Sequence, residues 1–114
     1  MDLLLVDDEP DILELLCELL EMLEITVDTA DSGYRAVEKL KAGSFNYLIT
    51  DVKMMNGDGM YVLEQIRDEK IDLSKIIVMT GYSKYPDEKF YELGASAVLQ
   101  KPIDFNQLKE LLEK

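Results

Sequence analysis

Carboxylates follow two apolar runs of the chain, at the point where each run ends. Asp7 and Asp8 follow the run Leu3–Val6, and Asp51 follows the run Tyr47–Thr50. If these runs are parallel strands, their carboxyl ends meet at one edge of a sheet, which is where such sheets bind ligands. Three carboxylates brought together there repel one another unless a cation lies among them. Oxygen ligands of this kind select Mg²⁺, with Mn²⁺ as a second candidate.

Two later runs end on residues that suit the same chemistry. Thr80 and Gly81 follow one run, and Lys101 and Pro102 follow another. A threonine hydroxyl can donate a hydrogen bond to an anionic oxygen, and a lysine ammonium can offset charge on a group being transferred. Each feature alone is common at a turn or a helix start. Their joint occurrence at separate strand ends favours a functional site.

The elements that must position these residues alternate along the chain. Short β-rich runs and longer segments of helical period form five βα units, which predict a doubly wound parallel sheet with helices on both faces. The second strand carries polar residues and is expected at a sheet edge. We expect strands at Leu3–Val6, Ile25–Ala30, Tyr47–Thr50, Ile76–Thr80 and Ala97–Gln100, and helices at Asp11–Leu23, Tyr34–Lys41, Met60–Glu69, Asp87–Leu93 and Phe105–Glu113.

Composition bounds the class of protein. The chain has 114 residues, of which 47% are hydrophobic and 32% charged, as in one ordinary soluble domain. No apolar run approaches the roughly 20 residues of a membrane span, and no basic segment precedes the first apolar run as in a signal peptide. We therefore expect one domain over residues 1–114 and a cytoplasmic location.

Missing residue types exclude several functions. The chain has no histidine and one cysteine, Cys17, so a Cys/His zinc site, an internal disulfide and histidine-dependent nucleophilic catalysis are excluded. The formal charge of −12 argues against direct binding of nucleic acid, which needs clustered Lys and Arg. Proteins and cations are the expected partners.

Four segments, "VDDEP", "ITDVKMMNGDG", "MTGYS" and "GASAVLQKP", resemble the motifs of the response-regulator receiver domain of two-component signalling. The resemblance spans the whole chain. It implies a flavodoxin-like α/β fold with a five-stranded parallel sheet in the order 2-1-3-4-5. It further implies phosphorylation at Asp51.

The resemblance also implies roles for the other site residues. Mg²⁺ would be held by the carboxylates Asp7, Asp8 and Asp51 and by the backbone carbonyl of Lys53. Thr80 and Lys101 would bind the phosphoryl group. The residues expected to act in switching or gating are Thr80, Gly81, Tyr82, Val98 and Pro102, and the Lys101–Pro102 bond is expected to be cis.

The sequence departs from the family pattern at three positions. Met55 stands where proline is usual, Val98 where a switch aromatic is common, and Ile103 where phenylalanine often follows Lys-Pro. None of these belongs to the acidic site. Valine has no ring to move, so Val98 predicts a weakened form of the usual switch, with Tyr82 as the nearest side chain that could report the state of Thr80.

The predicted function is a phosphorylation-dependent switch or relay that catalyses only its own phosphorylation and dephosphorylation. Its partners would be a sensor histidine kinase or phosphotransfer protein, and a downstream protein at the face formed by the fourth helix, fifth strand and fifth helix. Tyr85, Tyr91 and their neighbours are the residues that we expect the downstream protein to contact. One alternative is a pseudo-receiver that acts by protein contact alone. Another is a metal-dependent phosphatase with an aspartate nucleophile, although such enzymes usually have an acid where this chain has Lys53.

Overall fold

Strands and helices alternate strictly along the computed structural model, which describes residues 2–81 and 83–113. Over that part of the chain there are five strands and five helices, as the sequence predicts. They are β1 (Leu3–Val6), α1 (Pro10–Glu21), β2 (Val27–Ala30), α2 (Gly33–Ala42), β3 (Tyr47–Asp51), α3 (Gly59–Asp68), β4 (Lys75–Thr80), α4 (Asp87–Glu92), β5 (Ala97–Gln100) and α5 (Phe105–Glu113).

All strand pairs are parallel, and the strand order is β2-β1-β3-β4-β5. The predicted order 2-1-3-4-5 is therefore confirmed, and so is the edge position of the second strand. Val6 pairs with Thr50, and Asp51 pairs with Met79. This register brings the carboxyl ends of β1, β3 and β4 to one level, so residues that follow these strands lie at one edge of the sheet.

The two faces of the sheet form two separate apolar cores. Neighbouring residues of a strand point to opposite faces, which explains why Leu3, Leu4 and Leu5 are all fully buried. The core on one face includes Leu16 and Leu20 of α1 and Leu108 and Leu112 of α5. The opposite core contains apolar side chains of α2, α3 and α4. The central strands are thus held from both sides, which fixes their carboxyl ends.

The observed bounds differ from the predicted ones most at the first helix and the second strand. Helix α1 ends at Glu21 and strand β2 begins at Val27, whereas we expected Leu23 and Ile25. Glu24 has a φ of 63°, the left-handed conformation that commonly terminates a helix. The Ile25 N–H donates to the Leu20 carbonyl at 3.4 Å, so Ile25 still belongs to the helix terminus.

Candidate functional site

Three carboxylates meet at the carboxyl edge of the sheet. Asp7 follows β1, Asp8 is next to it, and Asp51 is the last residue of β3. Ligand oxygens of the three side chains all lie within 4.8 Å of one another. Asp7 is fully buried and Asp51 is 5% exposed, whereas Asp8 is exposed. The structure therefore brings the predicted acidic residues together, with one carboxylate open to solvent.

Lys101 enters this cluster from the end of β5. Its Nζ lies 3.1 Å from Asp51 Oδ2 and 3.5 Å from Asp7 Oδ2. The backbone N–H of Lys101 donates to the Thr80 carbonyl at 2.9 Å, which fixes this part of the chain beside β4. The Lys101–Pro102 bond is cis, as predicted. The Lys101 ammonium thus bridges the two buried acids and also lies 4.0 Å from the exposed Glu9 carboxylate.

Burial and charge shift the ionisation of this pair. Burial raises the pKa of the Asp51 carboxyl and the charge of Asp7 adds to this, so the hydrogen bond and charge of Lys101 do not restore the ordinary value. Burial alone would lower the pKa of the Lys101 ammonium, but the hydrogen bond and charge of Asp51, together with Asp7, outweigh it and raise that pKa. The two acids therefore favour the charged form of Lys101, whereas burial and the charge of Asp7 disfavour the charged form of Asp51.

Thr80 lies at the end of β4 and is 4% exposed. Among the residues that the structure describes, none forms a hydrogen bond with its hydroxyl oxygen. A buried polar group left without a partner costs about 1–3 kcal/mol. The hydroxyl is thus available to an oxygen atom brought to the site, which is the role that the resemblance implies.

The loop after Asp51 packs closely on the strand end. The Val52 N–H donates to Asp51 Oδ1 at 2.8 Å, and the Gly59 N–H donates to the Val52 carbonyl at 2.8 Å. A Cβ at Gly59 would lie 2.6 Å from the Asp51 carbonyl oxygen, so this position needs glycine. Gly57 has a φ of 94°, which also favours glycine. The Lys53 side chain, between these anchors, is exposed.

The predicted gating residues differ in how the structure places them. A Cβ at Gly81 would lie 3.7 Å from the Lys101 side chain, so the protein itself does not demand glycine there. Pro102 is exposed, and Val98 is half-buried and packs on the core that α2, α3 and α4 cover. Tyr82 lies outside the described residues.

Both tyrosines of the predicted output face have contacts that the sequence did not reveal. The Tyr85 ring packs edge-on against Phe90, with ring centroids 6.0 Å apart, and its hydroxyl donates to Asp58 Oδ2 at 3.4 Å. The Tyr91 hydroxyl accepts a hydrogen bond from the Val98 N–H at 3.1 Å, although the residue is 49% exposed. No local pattern indicates these contacts, because they join different loops and elements.

The cluster is suited to a divalent cation. The Lys101 ammonium lies beside Asp51 and Asp7 and 4.0 Å from Glu9, so its single positive charge cannot offset all the nearby carboxylates when they are ionised. Carboxylate oxygens at this separation are the hard ligands that Mg²⁺ prefers. The exposed Asp8 gives an approach from solvent.

Within the described residues, no helix has both the length and the apolar character needed to cross a membrane.

Comparison with known families agrees with this geometry. The family model for the response regulator receiver domain matches residues 3–113. A five-stranded parallel sheet in this order, with acids and a lysine at its carboxyl edge, is also what the sequence motifs led us to expect. The chain belongs to the response regulator receiver domain family. Domains of this family are generally signalling domains rather than enzymes, and they interact with histidine kinases or phosphotransfer proteins and with downstream targets.

Individual relatives are consistent with that assignment. The chain is 32% identical to the transcriptional regulatory protein ZraR of Escherichia coli over 115 residues, which cover 100% of the chain and 26% of ZraR. It is 36% identical to a CpxR homolog of Haemophilus influenzae, covering 93% of the chain and 46% of that protein. The chain thus spans about a quarter to a half of the length of these two relatives.

Solved structures show the same fold. The response regulator TrrA of Thermotoga maritima, solved in complex with Mg²⁺-BeF, superposes with a TM-score of 0.87 and 37% identity. The match covers 99% of this chain and 97% of TrrA. The predicted flavodoxin-like receiver fold is therefore confirmed.

Proposed function

We propose that this chain is a phosphorylation-dependent switch or relay of a two-component system, in which Asp51 accepts the phosphoryl group. The observation that carries the proposal is the arrangement of two hydrogen-bond donors, Lys101 and Thr80, at the same edge of the sheet as the Asp51 carboxylate. The buried Asp51 carboxylate is bridged to Asp7 by Lys101, and the buried Thr80 hydroxyl on the neighbouring strand has no hydrogen-bond partner among residues 2–81 and 83–113. A phosphoryl group on Asp51 supplies oxygens for both donors.

The metal ligands in this proposal are the carboxylates of Asp7, Asp8 and Asp51 and the backbone carbonyl of Lys53. The spacing of the three carboxylates supports the assignment, as does the Mg²⁺-BeF complex of the related TrrA. Mn²⁺ would fit the same oxygen ligands. When bound, the cation offsets negative charge on the phosphoryl oxygens and on the acids that surround them.

The residues of the chain then act by position and charge. A carboxylate oxygen of Asp51 forms a bond to phosphorus while the phosphorus–nitrogen bond of a phosphohistidine breaks, and the electron pair stays on the imidazole nitrogen. The Lys101 ammonium moves its contact from the Asp51 carboxylate to the phosphoryl oxygens, and the Thr80 hydroxyl donates a hydrogen bond to a phosphoryl oxygen. The chain has no histidine, so the phosphoryl group must come from another protein or from a small phosphodonor. In this proposal the protein donor is a sensor histidine kinase or phosphotransfer protein. In this proposal the chain catalyses only its own phosphorylation and dephosphorylation.

The output face in this proposal consists of α4, β5 and α5, where a downstream protein binds. The residues proposed to act in switching or gating between the phosphoacceptor and this face are Thr80, Gly81, Tyr82, Val98 and Pro102. The half-exposed Tyr91 ring supports contact with a partner, because an aromatic ring with one exposed side suits a protein interface. The charge of −12 favours protein partners over nucleic acid, and we place the chain in the cytoplasm.

A brief exposure to acetyl phosphate and Mg²⁺, followed by intact-protein mass spectrometry, tests the proposal. The parent should gain one phosphoryl group, and Asp51→Asn should gain none. Asp68→Asn is a matched control, because Asp68 is an exposed residue of α3 that pairs with Arg67. Equal labelling of Asp51→Asn and the parent would overturn the assignment of Asp51. An unlabelled parent would favour the pseudo-receiver, and continuous turnover of a phosphate ester would favour the phosphatase.

A further inference from the structure

The first turn of α2 is joined to the loop that follows the phosphoacceptor. We call residues 52–58 the phosphoacceptor loop. The Gly33 N–H donates to the Gly57 carbonyl at 2.9 Å, and the Tyr34 N–H donates to the Asn56 carbonyl at 3.0 Å. The first backbone N–H groups of a helix have no partner within the helix. Here the loop supplies those partners, so the helix start and the loop fix each other's position.

The two segments approach so closely that side chains are excluded between them. A Cβ on Gly33 would lie 2.3 Å from the Gly57 carbonyl oxygen and 2.6 Å from its carbon. A Cβ on Gly57 would lie 2.9 Å from Tyr34 Cδ1 and 3.0 Å from Tyr61 Cδ2. The rings of Tyr34 and Tyr61 meet edge to face, with centroids 5.2 Å apart. Backbone contact between Gly33 and Gly57 is therefore flanked by two packed rings.

The start of the phosphoacceptor loop is joined to the start of α3. The Gly59 N–H donates to the Val52 carbonyl at 2.8 Å, so residues 52–59 form a closed turn directly after Asp51. Lys53 lies inside this closed turn. With this closure on one side and the attachment to α2 on the other, the backbone of Lys53 cannot shift far unless one of these contacts breaks.

We infer that Gly33 and Tyr34 are positioning residues for the metal site, because their contact with the phosphoacceptor loop restricts where the Lys53 backbone carbonyl can lie relative to the acidic cluster. This inference rests on the proposed function, in which that carbonyl is a metal ligand. Neither residue touches the acids themselves. Their effect passes through the loop backbone, so loosening the contact weakens Mg²⁺ binding before it unfolds the domain.

The expected size of the effect follows from what the loop contributes. Loss of a residue that orients a metal ligand typically reduces metal affinity 10- to 100-fold. Here the ligand at stake is a neutral carbonyl, while the three carboxylates keep their places. We therefore expect the lower end of that range, an increase of about 10-fold in the Mg²⁺ dissociation constant.

The test is an NMR titration of the ¹⁵N-labelled chain with Mg²⁺, comparing the parent with Gly33→Ala. Gly43→Ala is the matched control, since Gly43 lies at the opposite end of α2 and its Cβ would meet the Lys39 carbonyl oxygen at 3.3 Å. Amide hydrogen exchange of the metal-free proteins is the second readout. Tyr34→Ala is a milder variant, because the Tyr34 ring is 54% exposed and its loss removes one support of Gly57.

We expect weaker Mg²⁺ binding and faster exchange of the phosphoacceptor-loop amides in Gly33→Ala, with β1 amides unchanged, and a smaller loss of affinity in Tyr34→Ala. Gly43→Ala should behave as the parent. A folded Gly33→Ala with the parent's Mg²⁺ affinity would overturn the inference, as would an equal loss in Gly43→Ala. If Gly33→Ala does not fold, parental affinity in Tyr34→Ala overturns it. A parent that bound no Mg²⁺ would instead refute the proposed metal site.

Discussion

Replacing Lys101 with methionine tests how strongly the fold depends on the ammonium beside the acidic cluster. Methionine keeps an unbranched apolar side chain in place of the lysine stem but removes its charge. Asp51 and Asp7, which lie 3.1 and 3.5 Å from the ammonium, would then be buried next to each other without that cation. In Mg²⁺-free buffer at neutral pH the variant should be clearly less stable than the parent.

The magnitude follows from burial. Removing one partner of a buried ion pair costs roughly 3–5 kcal/mol, because the other charge is left uncompensated. The Lys101 side chain is 25% exposed, so water already screens part of the interaction, and we take the lower end. A loss of about 3 kcal/mol corresponds to a decrease in Tm of about 12 °C, at about 4 °C per kcal/mol for a domain of this size.

Urea unfolding followed by circular dichroism, with EDTA present, measures this loss. Lys89→Met is the matched control, because Lys89 is 60% exposed and lies 3.9 Å from Glu92, a surface pair that should contribute under about 1 kcal/mol. Adding Asp51→Asn to Lys101→Met should recover part of the stability, since one of the two repelling carboxylates is then neutral. A loss of stability in Lys101→Met no larger than in Lys89→Met would show that the ammonium does not offset the buried acids. A double variant no more stable than Lys101→Met would show the same.

Three further predictions concern the core, the edge strand and the phosphoacceptor loop. Leu63→Ala removes a fully buried side chain of α3 and should cost about 3 kcal/mol in urea unfolding. Burial favours the protonated form of Asp28, but the hydrogen bonds from Lys39 and from the Thr29 N–H, together with the charge of Lys39, outweigh burial and lower the pKa of Asp28. The stabilisation that the Asp28 carboxylate gives the fold is therefore complete above its unfolded-state pKa and is lost as pH falls through its lower folded-state pKa. Asp28→Asn should lower the free energy of unfolding by about 0.5 kcal/mol at neutral pH and leave it unchanged in strong acid. Lys53→Asn should shorten the lifetime of the phosphoryl group on Asp51, because the exposed Lys53 side chain, two residues after Asp51, can reach over the phosphoryl oxygens as a flexible cation. A time course by mass spectrometry that showed the parental lifetime would contradict this.

Most strands and helices could be predicted because the residue patterns that indicate them lie within short stretches of sequence. Strands that are covered on both faces are apolar throughout, as Leu3–Val6 is, and the residues after each strand mark the edge where they meet. Strand order was not readable from periodicity and came from the resemblance to a family. The end of α1 was missed because Glu24 adopts a left-handed conformation that no residue type there indicates.

The residues of the candidate site could be predicted from the sequence, but the contacts that hold the surrounding loops and helices in place could not. Asp7, Asp51 and Lys101 could be named because their types and their places at strand ends are visible in one dimension. The contact of Gly33 with Gly57 joins backbone atoms of residues far apart in sequence, and glycine carries no side chain to signal it. The hydrogen bond from Val98 to Tyr91 likewise depends on how α4 lies against β5. Such contacts are decided by tertiary packing.

The site residues make the fold less stable than uncharged residues without an unpaired hydroxyl would at the same sheet edge. Two of its carboxylates are buried around one ammonium, and the Thr80 hydroxyl is buried without a hydrogen-bond partner among the described residues. An asparagine in place of Asp51 and a valine in place of Thr80 would remove both costs without disturbing the strands. Because two apolar cores hold the central strands from both sides, the fold can tolerate these costs. A phosphoryl group and a divalent cation together would offset the excess charge and supply a partner for the hydroxyl, so phosphorylation at Asp51 would change the energy of the strand ends rather than only the surface.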